Sequence, residues 1–177
     1  MDFLLKKQVP RFPTQLCPCG YYNHPEKECV CAPGVVQKYL NRISGPLLDR
    51  IDLHVEVTPV PFNELSSIKT SETSSSIRVR VIKAREVQAE RYKDFPGIYC
   101  NAQISSKMLK EICVIDKVGQ NLLKAAMEKL NLSARAYDRI LKVSRTIADI
   151  ALSENIKAEH LAEAIQYRSL DREGWAG

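Results

Sequence analysis

The apolar positions change period along this chain. Over 51–57 they alternate, with Ile51, Leu53, Val55 and Val57 on one face and Asp52, His54 and Glu56 on the other. A two-residue repeat predicts a half-buried strand. Ser44-Gly45-Pro46 ahead of it is a turn signal. Thr58-Pro59-Val60-Pro61 stops it, because proline has no N–H to give to a ladder. Arg50 then stands at the mouth of the strand, beside Asp49. An arginine placed there serves a phosphate on a neighbouring subunit or pairs with a surface carboxylate.

Elsewhere the period is helical. Residues 32–43 read as a short helix with Pro33 in its first turn and Val36, Tyr39, Leu40 and Ile43 at helical spacing. Residues 63–76, rich in Ser and Thr, read as a linker in which Ser75 or Ser76 caps the next helix. That helix, over about 77–94, carries Arg78, Arg80, Lys83 and Arg85 in its first half, which suits a solvated face or a DNA-backbone contact. Phe95-Pro96-Gly97 ends it. Met108, Leu109 and Ile112 mark another helix over 105–115. Asp116 caps a third, with Val118, Leu122, Ala125, Ala126 and Leu130 as its apolar stripe. A last helix over 157–168 buries Leu161, Ala164 and Ile165, with His160 at its surface or packed.

The helix that starts at Ser133 is the most informative. Ser133 caps it, Leu132 and Tyr137 occupy hydrophobic-staple positions, and Tyr137, Ile140, Leu141, Ile147, Ala148 and Ala151 form the core stripe. Arg139, Lys142 and Arg145 are assigned to the solvated face. Arg135 falls in the first turn, where a cation opposes the helix dipole. Such a charge is unfavourable unless it joins the free N–H groups in holding an anion, or pairs with a nearby carboxylate.

Composition adds three bounds. The 177 residues carry a formal net charge of +5, which permits an anionic partner without requiring one. No apolar run reaches transmembrane length, and the apolar stretch at the start is too short for a signal peptide. Six cysteines, four of them in two Cys-X-Cys pairs, suit a reduced compartment, so the expected location is cytoplasmic. Cys17, Cys19, Cys29 and Cys31 lie in one short loop, with nine residues between the pairs. Four thiolates are a structural zinc set that leaves no position open for catalysis; the alternative is a metal-free loop. His24 between them reads as a turn residue, Cys113 as a small buried hydrophobe and Cys100 as a loop thiol.

Three segments in order, Cys17-Pro-Cys-Gly20, Ser44-Gly-Pro-Leu-Leu-Asp-Arg-Ile-Asp-Leu53 and Leu132-Ser-Ala-Arg-Ala-Tyr-Asp-Arg-Ile-Leu141, resemble the magnesium-chelatase-like branch of the AAA+ ATPases, in particular the ComM/YifB family. The resemblance runs over about 17–168. It implies a mainly α chain: a helical AAA+ lid domain, preceded by the last strand and loops of an incomplete α/β core. On that division 1–16 is a frayed end, 17–62 the core remnant, 63–76 a linker, 77–170 the lid and 171–177 a tail. The resemblance makes Arg50 an arginine finger acting in trans and Arg135 the sensor-2 residue reaching the γ-phosphate in cis. ATP and Mg would be held by an N-terminal ATPase half of the same protein, in a homo-oligomeric ring acting on DNA in branch migration during natural transformation. Relatives carry Asn-Pro before the Cys-Pro-Cys-Gly stretch, the asparagine being sensor 1. Gln15-Leu16 stand there in this chain, so no sensor-1 residue is assigned.

No Gly-X4-Gly-Lys-Ser/Thr loop occurs, nor an apolar strand ending in paired acids. The expectation is the C-terminal portion of a longer ATPase, monomeric and catalytically silent on its own. Two other readings stay open: a magnesium-chelatase or MoxR-type ATPase that remodels protein or inserts metal, and a zinc-stapled helical binding module.

Overall fold

A computed structural model describes residues 17–168, apart from 23, 25, 43, 56, 58, 59 and 61–70. Its contacts divide after Arg42 into two compact units. Expectations for 1–16, most of the 63–76 linker, Ile43 and Trp175 lie outside the described residues.

The first unit holds the cysteine loop and helix α1, Pro33–Leu40. Pro33 occupies the first turn, where its missing N–H leaves no hydrogen bond unmade. Val36 and Leu40, four residues apart, are the buried face.

The second unit is helical. It comprises α2 (Gly45–Leu48), α3 (Ser74–Arg91), a 3₁₀ turn (Asn101–Gln103), α4 (Ser106–Ile112), α5 (Lys117–Lys129), α6 (Ala134–Ile150) and α7 (Ala158–Gln166). Asp116 caps α5 by accepting from Gly119 N at 2.7 Å, and Ser133 caps α6 by accepting from Ala136 N at 3.2 Å. Both caps agree with the sequence. At α3 the cap is Thr73 rather than Ser75 or Ser76, so this helix starts earlier than its apolar pattern indicates. Glu72 explains the extra turn: it accepts from Ser76 Oγ at 2.8 Å and from both Arg80 guanidinium nitrogens at 2.6 and 2.9 Å.

Helices α5 and α6 end in the same way without a glycine. Asn131 (φ 47°) and Leu152 (φ 53°) take left-handed conformations. Leu132 N then bonds Met127 O at 3.0 Å, and Ser153 N bonds Ala148 O at 2.8 Å. These bonds satisfy carbonyls that the helix ends would otherwise leave open. A left-handed leucine costs about 1–2 kcal/mol, which is why it escapes a search for Gly or Asn stop signals.

Helix α6 is central. It packs against α3, α4, α7 and the 3₁₀ turn, while α5 packs against α7. Ile140, Leu141 and Ala148 of α6 meet Tyr92, Ile104, Leu109, Cys113, Leu123, Ile156, Leu161 and Ala164 in one core. The α5 stripe is rotated from expectation: Gly119 and Leu123 are buried, while Val118 and Ala125 are exposed. Tyr137 of α6 and Ala151, just past its end, are likewise exposed.

The strand expected over 51–57 is not formed among the described residues. Leu53, Val55 and Val57 are exposed, and the only pairing among the described residues is an isolated parallel bridge between Ile115 and Ile156. Alternation selects a face, but a ladder needs a second strand to receive its N–H and C=O groups. Instead His54 N donates to Tyr167 O at 2.9 Å, and the segment runs along the helical body.

Candidate functional site

In the first unit, four thiols converge. The sulfurs of Cys17, Cys19, Cys29 and Cys31 all lie within 4.8 Å of one another. Cys17 and Cys19 are 3.3 Å apart, Cys19 and Cys29 3.5 Å, and Cys17 and Cys29 3.7 Å. None is in a disulfide. A tetrahedral zinc with Zn–S bonds of about 2.3 Å has sulfur–sulfur edges of about 3.8 Å. The donor set therefore fits a zinc ion in number, chemistry and spacing.

Local backbone builds this convergence. Gly20, at φ 79°, takes a conformation open to glycine and turns the chain back, with its N–H on Cys17 O at 3.1 Å. Tyr22 N donates to Cys17 Sγ at 3.3 Å. The Tyr21 backbone N–H, helped by neighbouring thiols, brings the Cys19 thiol down to about 6. The Cys31 backbone N–H favours a Cys29 thiolate, but burial and the thiols of Cys19, Cys17 and Cys31 outweigh it and push Cys29 up to about 12. His24 stays outside the cluster: its Nδ1 accepts from Glu26 N at 3.0 Å and Lys27 N at 3.1 Å, a turn role as expected.

In the second unit, Arg50 follows α2, its N–H bonded to Leu47 O at 3.0 Å, and its side chain is exposed. Asp49, its sequence neighbour, faces Arg168 at 3.8 Å instead. Arg135 is exposed in the first turn of α6, beside the capping Ser133. Among the described residues neither guanidinium makes an ion pair or a side-chain hydrogen bond.

The sequence reading missed a buried polar network. Asp149, fully buried, accepts from Arg91 at 2.8 and 2.5 Å, from Asn101 Nδ2 at 2.8 Å and from Arg145 Nε at 3.1 Å. Tyr92 Oη donates to Asn101 Oδ1 at 2.7 Å. Arg145 also donates from Nη2 to Ser153 O at 2.6 Å and from Nη1 to Glu154 O at 2.8 Å, across the left-handed turn at Leu152. Burial alone would raise the Asp149 carboxyl, but the Arg91 and Asn101 hydrogen bonds and the Arg145 charge hold it below the usual carboxylate range. The assignment of Arg145 to a solvated face is therefore corrected. One signal was present: Arg145 sits inside the 141–144–145–148 stripe, with Asp149 four residues on. Of its two companions, Arg139 pairs with Asp52 and Lys142 Nζ donates to Ala102 O at 3.2 Å. His160 is buried as well, its Nδ1 accepting from Lys157 N at 3.1 Å. Cys113 is buried as read from the sequence, and burial pushes its thiol up to about 11.

On α3, residues 74–83 are exposed throughout, including Arg78 and Lys83. Arg80 is engaged by Glu72, so the basic half of this helix offers fewer free cations than its sequence suggests.

Two family descriptions match the chain: "Magnesium chelatase, subunit ChlI C-terminal" over residues 71–168 and "Magnesium chelatase, subunit ChlI" over residues 12–65. The competence protein ComM of Haemophilus influenzae is 42% identical over 156 residues, 88% of this chain. The protein YifB is 40% identical over 158 residues in Salmonella typhimurium and 39% identical in Escherichia coli. The chain spans 29% of the length of each of these relatives. No described helix is long and apolar enough to cross a membrane.

Proposed function

We propose, for a chain that belongs to the magnesium chelatase ChlI C-terminal family, that it is the C-terminal part of a ComM-like AAA+ ATPase and lends two arginines to an ATP-driven ring acting on DNA. Arg135 acts in cis on ATP and Mg held by the N-terminal half of the same protein. Arg50 acts in trans on nucleotide in the next subunit. Both contributions are electrostatic, placing fixed positive charge where negative charge develops on the transferring phosphoryl group. The division into a core remnant (17–62), linker (63–76) and lid (77–170) belongs to the same reading, as does a cytoplasmic location.

The observation that carries it is Arg135: an exposed cation at the positive end of a 17-residue helix, with no carboxylate partner among the described residues. An anion bound there reverses an arrangement that is otherwise unfavourable. Cys17, Cys19, Cys29 and Cys31 hold a structural zinc on this reading, and the four-sulfur spacing supports it. The ion's contribution is a cross-link for a loop whose unit buries few apolar side chains.

The test is ATP turnover by the full-length protein, with and without branched DNA, for wild type, Arg50→Ala and Arg135→Ala. Stimulation by DNA, and loss of about 10³-fold or more in each variant, is the expected result. Mixed Arg50→Ala and Arg135→Ala subunits should recover part of the activity across the ring. The family's name favours a second reading, a chelatase-type ATPase that remodels protein or inserts metal. Turnover indifferent to DNA would select it, and turnover that survives both substitutions would overturn the arginine assignments.

A further inference from the structure

We infer that Arg168 is the positioning residue for Arg50, tying the segment that carries it to the helical body. This rests on the reading of Arg50 as a finger. Arg168 follows α7 and is 1% exposed, an unusual depth for a guanidinium at a helix exit. Its Nη1 donates to the carbonyl of Ile51, and its Nη2 faces the Asp49 carboxylate at 3.8 Å. These two partners flank Arg50 on either side. One residue before, Tyr167 O accepts from His54 N at 2.9 Å, and Asp52 is held by Arg139 of α6. Four anchors at 49, 51, 52 and 54 therefore clamp the segment on both sides of Arg50, whose own side chain stays exposed.

The chemistry suits the task. A planar guanidinium donates to a carbonyl through one nitrogen while another holds positive charge near a carboxylate, a division a lysine ammonium makes less well. Because the segment has no ladder among the described residues, these side-chain contacts stand in for sheet pairing. A finger must hold its charge to within about 1 Å, since misplacement by that much costs about 100-fold in rate. A merely structural arginine would lower stability and activity together; a positioning arginine lowers kcat through Arg50 alone.

The experiment uses the full-length protein with Arg168→Lys, Arg168→Met and Asp49→Asn, each in the wild-type and the Arg50→Lys background. Three quantities are read: kcat, KM for ATP, and hydrogen exchange at the His54 amide. Asp49→Asn guards against an Arg168 variant that fails to fold, because Asp49 is partly exposed. The expected result is faster His54 exchange and a drop in kcat of about tenfold or more for Arg168→Met, with KM within about twofold. Arg168→Lys and Asp49→Asn should lose less, and none should lower kcat further in the Arg50→Lys background. Equal losses in both backgrounds would overturn the proposal, as would unchanged His54 exchange in Arg168→Met. If Arg50→Lys keeps wild-type turnover, the finger reading fails, and the exchange data still decide whether Arg168 clamps the segment.

Discussion

Replacing Asp149 with asparagine keeps the shape of the side chain and removes its charge from a site with no exposed surface. Four donated hydrogen bonds converge on the carboxylate, three of them from guanidinium nitrogens. An asparagine oxygen still accepts, but its amide nitrogen turns a donor toward donors. Breaking one side of a buried ion pair costs about 3–5 kcal/mol. The lower end applies, because Arg91 is 22% exposed and turns partly to water, while Arg145 keeps its bonds to Ser153 O and Glu154 O. A loss of about 3 kcal/mol, at about 4 °C per kcal/mol, lowers Tm by about 12 °C. Thermal unfolding of the purified chain measures it directly. The pH dependence supplies an independent check. A carboxyl held below its unfolded value of about 3.9 contributes stability that is fully present above that value. This contribution is lost as pH falls through the folded value. Wild type should therefore lose stability steeply below about pH 4, and Asp149→Asn should show a shallower fall. A change in Tm under about 4 °C, or an unchanged acid slope, would refute the view that this network holds α3 to α6.

Three further outcomes follow from the same structure. The purified chain should contain about one zinc per molecule by elemental analysis, and Cys17→Ser with Cys29→Ser should abolish it; metal below about a tenth of an equivalent in reduced, chelator-free preparations would count against the site. Gly119→Ala should destabilise by about 1 kcal/mol despite alanine's better helix propensity, because a Cβ there meets Leu161 Cδ1 at 2.6 Å and Leu161 is itself fully buried; an unchanged Tm would mean that this packing relaxes freely. The chain alone should be monomeric in sedimentation and show no ATP turnover, since it carries no phosphate-cradling loop, and measurable hydrolysis free of contaminants would contradict the proposed division of labour.

The existence of the longer helices was determined within the sequence, because a helix makes its backbone bonds locally and announces its ends with local caps; the four-residue helix at Gly45–Leu48 lies where the sequence reads as a turn. Pro33, Asp116 and Ser133 are read correctly for that reason. The pairing of two Cys-X-Cys turns was legible too, since a short loop keeps the four thiols close whatever surrounds it. Tertiary structure alone decided which charges distant in sequence pair inside. Arg91 and Asp149 are 58 positions apart, and neither residue's neighbours indicate that the other will neutralise it in the core. Arg168 reaches Ile51 across 117 positions, so the segment around Arg50 takes its anchorage from the far end of the chain. The alternation over 51–57 likewise specifies a face but not a partner. Strand pairing and buried charge depend on groups distant in sequence, while helix ends depend on groups three or four residues away.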